Sequence, residues 1–364
     1  MRKSNISRRN FISRASSAAA GTTLLGFNIF PLSIKTLPQG KAAVSIARIR
    51  NGNIQAAVEE AIGLLGGIRS LTTGKERIVL KPNLVADDPS FTTKPEVIKA
   101  LAEIMLDAGK KVIIGEGSAA AANFNVINNE TFRTRKRELL DNMQRHVFDV
   151  LGYSRLAKSL NVPLVNLHSG EIVEIPLKNG LAAKSLKIHK VLSEADLVCS
   201  VPMMKTHTLA TVTLSMKNFI GLYPGTEYYS VRSWLHDRAA EEGSPGVAFE
   251  VIDINRAINT GLSVIDASVA MEGNGPAEGA LVDMGLIIAG TSPLATDMVG
   301  ATLMGFDLNE IPSIVQSHKS GLTPFSLREI ELRGCRIDEC RRKFTRPDIY
   351  KWTDINKLWG FKEI

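Results

Sequence analysis

Residues 77–118 read RIVLKPNLVADDPSFTTKPEVIKALAEIMLDAGKKVIIGEGS. Arg77–Leu80 is a short apolar run with strand character, and it stops at Lys81-Pro82-Asn83. Pro95 stands at a helix start, where its missing N–H costs nothing, and Glu96–Leu106 continues that helix to Gly109. Lys111–Ile114 is the next strand, running into Gly115-Glu116-Gly117-Ser118. A strand–helix–strand unit of this kind predicts an α/β class.

The alternation extends outward in both directions. Upstream, Ala43–Ile49 reads as a strand and Ile54–Ile68 as a helix, with apolar positions at Ala57, Ala61, Leu64 and Leu65. Downstream, Tyr153–Leu160 reads as a helix, and Val162–Leu167, Ile172–Leu177 and Leu197–Val201 as strands. Val247–Ile258 is a helix, Ser263–Asp266 and Gly285–Ala289 are strands, and Ser292-Pro293 opens a helix closed by Gly305. Residues 119–150 show no clean period, and their basic run Arg133, Arg135, Lys136 and Arg137 reads as a solvated face. The expected architecture is a mainly parallel or mixed sheet flanked by helices, with a loop-rich central insertion over residues 202–247. The corresponding divisions are a leader over 1–40, an α/β body over 41–324 and a charged C-terminal extension over 325–364 containing Trp352 and Trp359.

The 364 residues are 44% apolar and 22% charged, with 29 Gly and 15 Pro, an ordinary globular balance that excludes wholesale disorder and a multi-span membrane protein. The net charge of +7 resembles a nucleic-acid signal only until it is located. Arg2, Lys3, Arg8, Arg9, Arg14 and Lys35 lie in residues 1–40 without a single acid, so the rest of the chain is close to neutral and nucleic acid is not an expected partner.

Ser7-Arg8-Arg9-Asn10-Phe11-Ile12 is a twin-arginine (Tat) export pattern. The uncharged stretch Ala15–Ile34 behind it is diluted by glycine, threonine and proline, the weak hydrophobicity of a Tat leader. The expected partner is the Tat export machinery and the expected location is periplasmic or extracytoplasmic. No clean small-x-small cleavage site follows, so an uncleaved leader serving as a membrane anchor stays open. Three cysteines are too few for a four-thiolate iron–sulfur cluster; Cys335 and Cys340 read either as a small disulfide or as inert thiols.

Chemistry-bearing residues concentrate just after apolar strands, where open α/β sheets bind ligands. Lys81 and Asn83 follow the first, and Glu116 sits between glycines after the second. Gly115 to Ala120 formally matches a dinucleotide fingerprint, but no good helix follows. The densest cluster follows Leu197–Val201: Lys205 and His207, then Lys217 and Asn218. Two ammonium groups beside an imidazole suit an anionic substrate and a group titrating near neutrality. A fourth corner carries Glu272, Asn274 and the Gly275-Pro276 turn, and Asp297 lies in the first turn of the helix after Pro293. His236-Asp237 is a further metal or acid–base candidate on weak spacing.

Lys81-Pro82-Asn83, Gly115-Glu116-Gly117-Ser118, Lys205-Thr206-His207, Lys217-Asn218-Phe219-Ile220-Gly221, Glu272-Gly273-Asn274-Gly275-Pro276 and Pro293-Leu294-Ala295-Thr296-Asp297 together resemble the signature of domain of unknown function 362, over roughly residues 75–306. The resemblance implies an α/β domain and no settled reaction. Members often carry a Tat leader, and some append a ferredoxin-like segment and are described as iron–sulfur proteins; the four-cysteine run of such a segment is missing from this sequence.

The expected function is that of an exported enzyme acting on a small carboxylate or phosphate by acid/base or metal-assisted chemistry. His207, Lys205 and Glu116 are the catalytic candidates, and Lys81, Asn83, Lys217, Asn218 and Asn274 the substrate-binding ones. Glu272 and Asp297 are candidate ligands for a divalent metal. Two other classes compete: a non-catalytic anion- or metal-binding protein, and a redox partner whose cofactor is loaded before export.

Overall fold

The computed structural model describes residues 41–350 and 362–364. The twin-arginine pattern and its apolar stretch, like Trp352 and Trp359, lie outside the described residues.

The elements that matter here are, in chain order, β1 (Ala42–Arg48), α1 (Ile54–Leu64), β2 (Arg77–Pro82), α2 (Pro95–Asp107) and β3 (Lys111–Glu116). There follow α3 (Arg137–Val150), α4 (Tyr153–Leu160), β4 (Leu164–Asn166), β5 (Leu197–Val201), β6 (Met203–His207) and β7 (Thr211–Thr213). The chain continues through α5 (Ser215–Asn218), α6 (Ser233–Glu241), α7 (Ala248–Ala257), β8 (Thr260–Asn274), β9 (Glu278–Gly290), α8 (Pro293–Leu303) and β10 (Ile330–Gly334).

One mixed sheet organises the fold, in the order β10-β1-β9-β8-β5-β2-β3-β4, with β6 joined to β8 and β7 to β6. From β8 to β4 the neighbours are parallel, whereas β1, β9 and β8 pair antiparallel. This is the α/β architecture expected from the alternation of strands and helices. Both sheet faces are covered. Ile78, Leu80, Ile114 and Leu197 pack on one face with α1, α2 and α3, while Val79, Val198, Ile265 and Ile288 pack on the other with α7 and α8. Strands buried on both sides carry near-continuous apolar runs, which is why Leu197–Val201 stands out in the sequence.

Three regions differ from the sequence expectation. β8 and β9 form a hairpin of 15 and 13 residues, far longer than Ser263–Asp266 and Gly285–Ala289. Its outer half is only partly buried and its apolar run is broken, so it lacks a core-strand signature. The centre at 202–247 contains β6 and β7 as well as short helices, because β6 pairs with β8 through Met203↔Asp266 and Lys205↔Met271. Residues 119–150 include the helix α3, whose buried stripe of Leu140, Met143 and Val147 is obscured by polar neighbours and by Gln144, itself buried. In the C-terminal segment, β10 pairs parallel with β1 at the sheet edge.

The arrangement that positions the site is the crossover about β2. The chain passes from β2 outward to β3 and β4, then returns to the other side of β2 as β5, with Lys81 opposite Ser200 and Pro82 opposite Val201. Strand order reverses at that point, and the carboxyl ends on either side diverge into a crevice.

Candidate active site

A cavity of about 220 Å³ opens at these strand ends. Lys81, Asn83, Glu116, Lys205, His207, Lys217 and Asn218 all line it, together with Thr213, Arg232 and His236. Residues from five separate segments thus share one pocket, but they divide into those bonded within the protein and those facing the space.

Lys81 belongs to the first group. Its ammonium donates to Glu116 Oε2 at 2.7 Å, the Pro82 carbonyl at 2.8 Å and Asn218 Oδ1 at 2.9 Å, so all three protons are used. Burial pushes its pKa down, with Glu116 opposing. Glu116 also accepts from the amides of Leu84 and Gly117, at 2.9 and 2.8 Å. Asn218 donates to the Lys81 carbonyl at 3.0 Å and to Ser200 Oγ at 3.1 Å. A catalytic proton for Glu116 and a ligand contact for Lys81 or Asn218 would each require breaking this network. They form the floor of the pocket, not its working face.

Two glycines permit the floor to close. A Cβ on Gly221 would lie 2.7 Å from Lys81 Nζ and would also collide with Glu116 Oε1. A Cβ on Gly117 would lie 2.8 Å from an Arg232 nitrogen and 2.9 Å from the Gly221 carbonyl. Arg232 donates to the carbonyls of Gly117, Ser230 and Gly221, and its buried Nε has no hydrogen-bond partner among the described residues.

The second group is Lys205, Lys217, His207, Asn83 and Thr213. Lys205 and His207 lie two residues apart on β6, so their side chains leave the same face. Lys205 Nζ donates to the Phe91 carbonyl at 2.6 Å and, more weakly, to that of Pro276 at 3.4 Å. Lys217 makes no hydrogen bond or ion pair among the described residues. Burial drives both amines down: Lys205 to about 7, aided by the neighbouring Lys217 and Lys81, and Lys217 to about 8, with Glu250 opposing. Among the described residues the buried Asn83 Oδ1 and Thr213 Oγ1 are also without partners.

His207 departs from the expectation of a group titrating near neutrality. Burial, then the charges of Lys217 and Lys205, hold its pKa well below the usual imidazole range. Nδ1 accepts the Leu209 amide at 3.0 Å, so the neutral ring carries its hydrogen on Nε2. It is a hydrogen-bond donor in the resting site. The second imidazole is His236, whose Nδ1 lies 2.6 Å from Oε1 of the fully buried Glu250.

Asn274, Glu272 and Asp297 do not join the pocket. Asn274 exchanges two hydrogen bonds with Asp348, at 2.9 and 2.8 Å, at the tip of the long hairpin. Glu272 accepts the Thr345 amide at 2.8 Å. Asp297 accepts the amides of Ser215 and Met216, at 2.6 and 2.9 Å, and so caps the turn that carries Lys217 and Asn218. Burial raises its carboxyl to about 7 against those hydrogen bonds. The metal assignment for Glu272 and Asp297 is therefore corrected: each is bound to backbone in a different place. Among the described residues, no group of three or more His, Cys, Asp or Glu could hold a metal ion. The cysteines do not fit an iron–sulfur cluster either. Cys199 packs in the core on one sheet face, and Cys335 and Cys340, both free thiols, pack on the other.

Sequence reasoning misses Arg232 and the Glu250 partner of His236, whereas Thr213 falls within Thr211–Ser215, a stretch inside the densest polar cluster of the sequence. Arg232 follows no apolar strand and has no periodic context. Glu250 does leave a trace, as an acid on the buried side of the otherwise apolar helix α7.

"Thylakoid-associated protein sll1697" of Synechocystis sp. is 26% identical over 288 residues, covering 78% of this chain and 80% of that protein. Among solved structures, the lactate racemase apoprotein from Thermoanaerobacterium thermosaccharolyticum aligns with a TM-score of 0.42 and 14% identity. That alignment covers 73% of this chain, which spans 57% of the racemase. A structural-genomics protein from Thermotoga maritima aligns at 0.33 and 17%, covering 63% of this chain and 53% of that one. Residues 78–302 match the family described as Domain of unknown function (DUF362), and since that match takes in more than half of the sequence, the chain belongs to this family.

Proposed function

We propose that the protein is an enzyme that binds a small carboxylate or phosphate in the pocket at the ends of β2, β3 and β6 and transfers a proton to or from it. The observation that carries this reading is the charge imbalance of the enclosed space. Lys205, Lys217 and Arg232 hydrogen-bond to carbonyls or to nothing, while the two nearby carboxylates, Glu116 and Glu250, are bonded to Lys81 and His236. A half-buried Lys217 ammonium with no hydrogen-bond partner among the described residues, near the buried Arg232 guanidinium, is costly, and an anion would relieve that cost.

Each working residue then has a distinct task. Lys217 holds the anionic group, Lys205 lies beside it in the pocket, and Asn83 offers an unpaired acceptor to a ligand hydroxyl. His207 donates from Nε2 to an oxygen on which negative charge develops. His236, held against Glu250 at the pocket wall, is the second candidate for the proton transfer. A cavity of about 220 Å³ suits a small molecule. The twin-arginine pattern at Arg8-Arg9 supports action outside the cytoplasm after Tat export.

The test is a proton NMR screen of small carboxylates and phosphate esters with the purified chain in deuterated water. Conversion or deuterium uptake that disappears in both His207→Gln and His236→Gln supports proton-transfer catalysis. Tight binding with no turnover or exchange for any ligand would instead make this a binding protein.

A further inference from the structure

Lys205 and Lys217 differ in a way that simple anion binding does not explain. Among the described residues Lys217 has no hydrogen-bond or ion-pair partner, and it is the natural counter-ion for a ligand. Lys205 is fully buried, and two carbonyl oxygens, of Phe91 and Pro276, already take two of its N–H directions. Tetrahedral nitrogen then has one direction left. In the ammonium that direction holds a third proton; in the free amine it holds the lone pair. Phe91 adds a ring face 5.8 Å from Nζ, a low-polarity wall on one side.

We propose that Lys205 is a nucleophilic amine that condenses with the carbonyl group of a small 2-oxo carboxylate, the carboxylate being held by Lys217. The inference rests on the anion-pocket reading and names a substrate class for it. The Nζ lone pair attacks the carbonyl carbon, a C–N bond forms, and the carbonyl oxygen takes negative charge beside the His207 Nε2–H. Both amine protons leave with that oxygen as water, giving a neutral imine. No oxidant, reductant or co-reactant enters. The amine state is accessible at neutral pH, since burial and the adjacent charges bring Lys205 to about 7. A lysine at the usual value of 10.5 would be protonated nearly throughout. His207, two residues along the same strand face, stays neutral and keeps its Nε2 hydrogen for the oxygen.

The experiment is reductive trapping. The full chain is incubated with pyruvate and cyanoborohydride at neutral pH, and the adduct is located by peptide mass mapping. The expected result is one saturable label at Lys205, blocked by excess oxalate, absent from Lys205→Arg, and needing about tenfold more pyruvate in Lys217→Met. Mapping on the unsubstituted chain locates the label even should Lys205→Arg fail to fold. Titration of pyruvate and oxalate without reductant separates the two levels of the claim. Anion binding with no label at Lys205, or with label spread without saturation over surface lysines, overturns the imine and leaves the anion pocket standing. Absence of binding by either anion overturns both.

Discussion

Lys81 Nζ stands 2.7 Å from Glu116 Oε2, and neither side chain exposes more than 2% of its surface. The pair ties the end of β2 to the end of β3, while Asn218 and the Leu84 and Gly117 amides satisfy the remaining valences. It is a brace beneath the cavity, and its energetics differ from those of a ligand-binding lysine.

Removing one partner strands a buried charge, so Lys81→Met or Glu116→Leu alone is expected to cost about 3–5 kcal/mol. The double variant, which removes both charges, is expected to recover a substantial part of that loss. Denaturant unfolding of the three variants checks this. Additive losses in the double variant would show that the two side chains are not coupled.

The glycines beneath the pair give a second expectation. Gly221→Ala forces a methyl against Glu116 Oε1 and Lys81 Nζ and should destabilise by about 1–3 kcal/mol. Gly63, in α1, has nothing within 4 Å of its would-be Cβ, and Gly63→Ala should stabilise by about 0.5–1 kcal/mol. Melting curves of the two variants read the contrast directly, and shifts of the same sign would refute it.

The strand tips bearing Lys81, Glu116 and Lys205 are legible in the sequence because an apolar run stops at each. Their convergence is not, since it depends on the return of the chain across β2 as β5. Nor does spacing reveal that Lys81 spends its protons on Glu116, Pro82 and Asn218 while Lys217 spends none. Glu272, Asn274 and Asp297 share the same kind of polar, turn-rich context as the pocket residues, yet Thr345, Asp348 and the Ser215 turn engage them elsewhere. Arg232 enters through a backbone turn with φ of 57° that no periodicity announces.

Anion affinity should depend on pH through Lys217. Its charged form, the one that attracts an anion, is lost as pH rises through about 8, so affinity should fall above that point by up to about tenfold per pH unit. A lysine at its ordinary 10.5 would keep affinity flat over the same range. Calorimetric titration of oxalate, which does not itself titrate there, between pH 6.5 and about 9.5 distinguishes the two.

The most direct measurement is titration of oxalate at pH 7 into the full chain and into Lys217→Met. Saturable one-site binding is expected, weakened at least about tenfold in the variant, because an ammonium with no other partner among the described residues supplies a charge-assisted hydrogen bond to the anion. Absence of saturable binding to the unsubstituted chain, or equal affinity in the variant, would contradict an anion site built around Lys217.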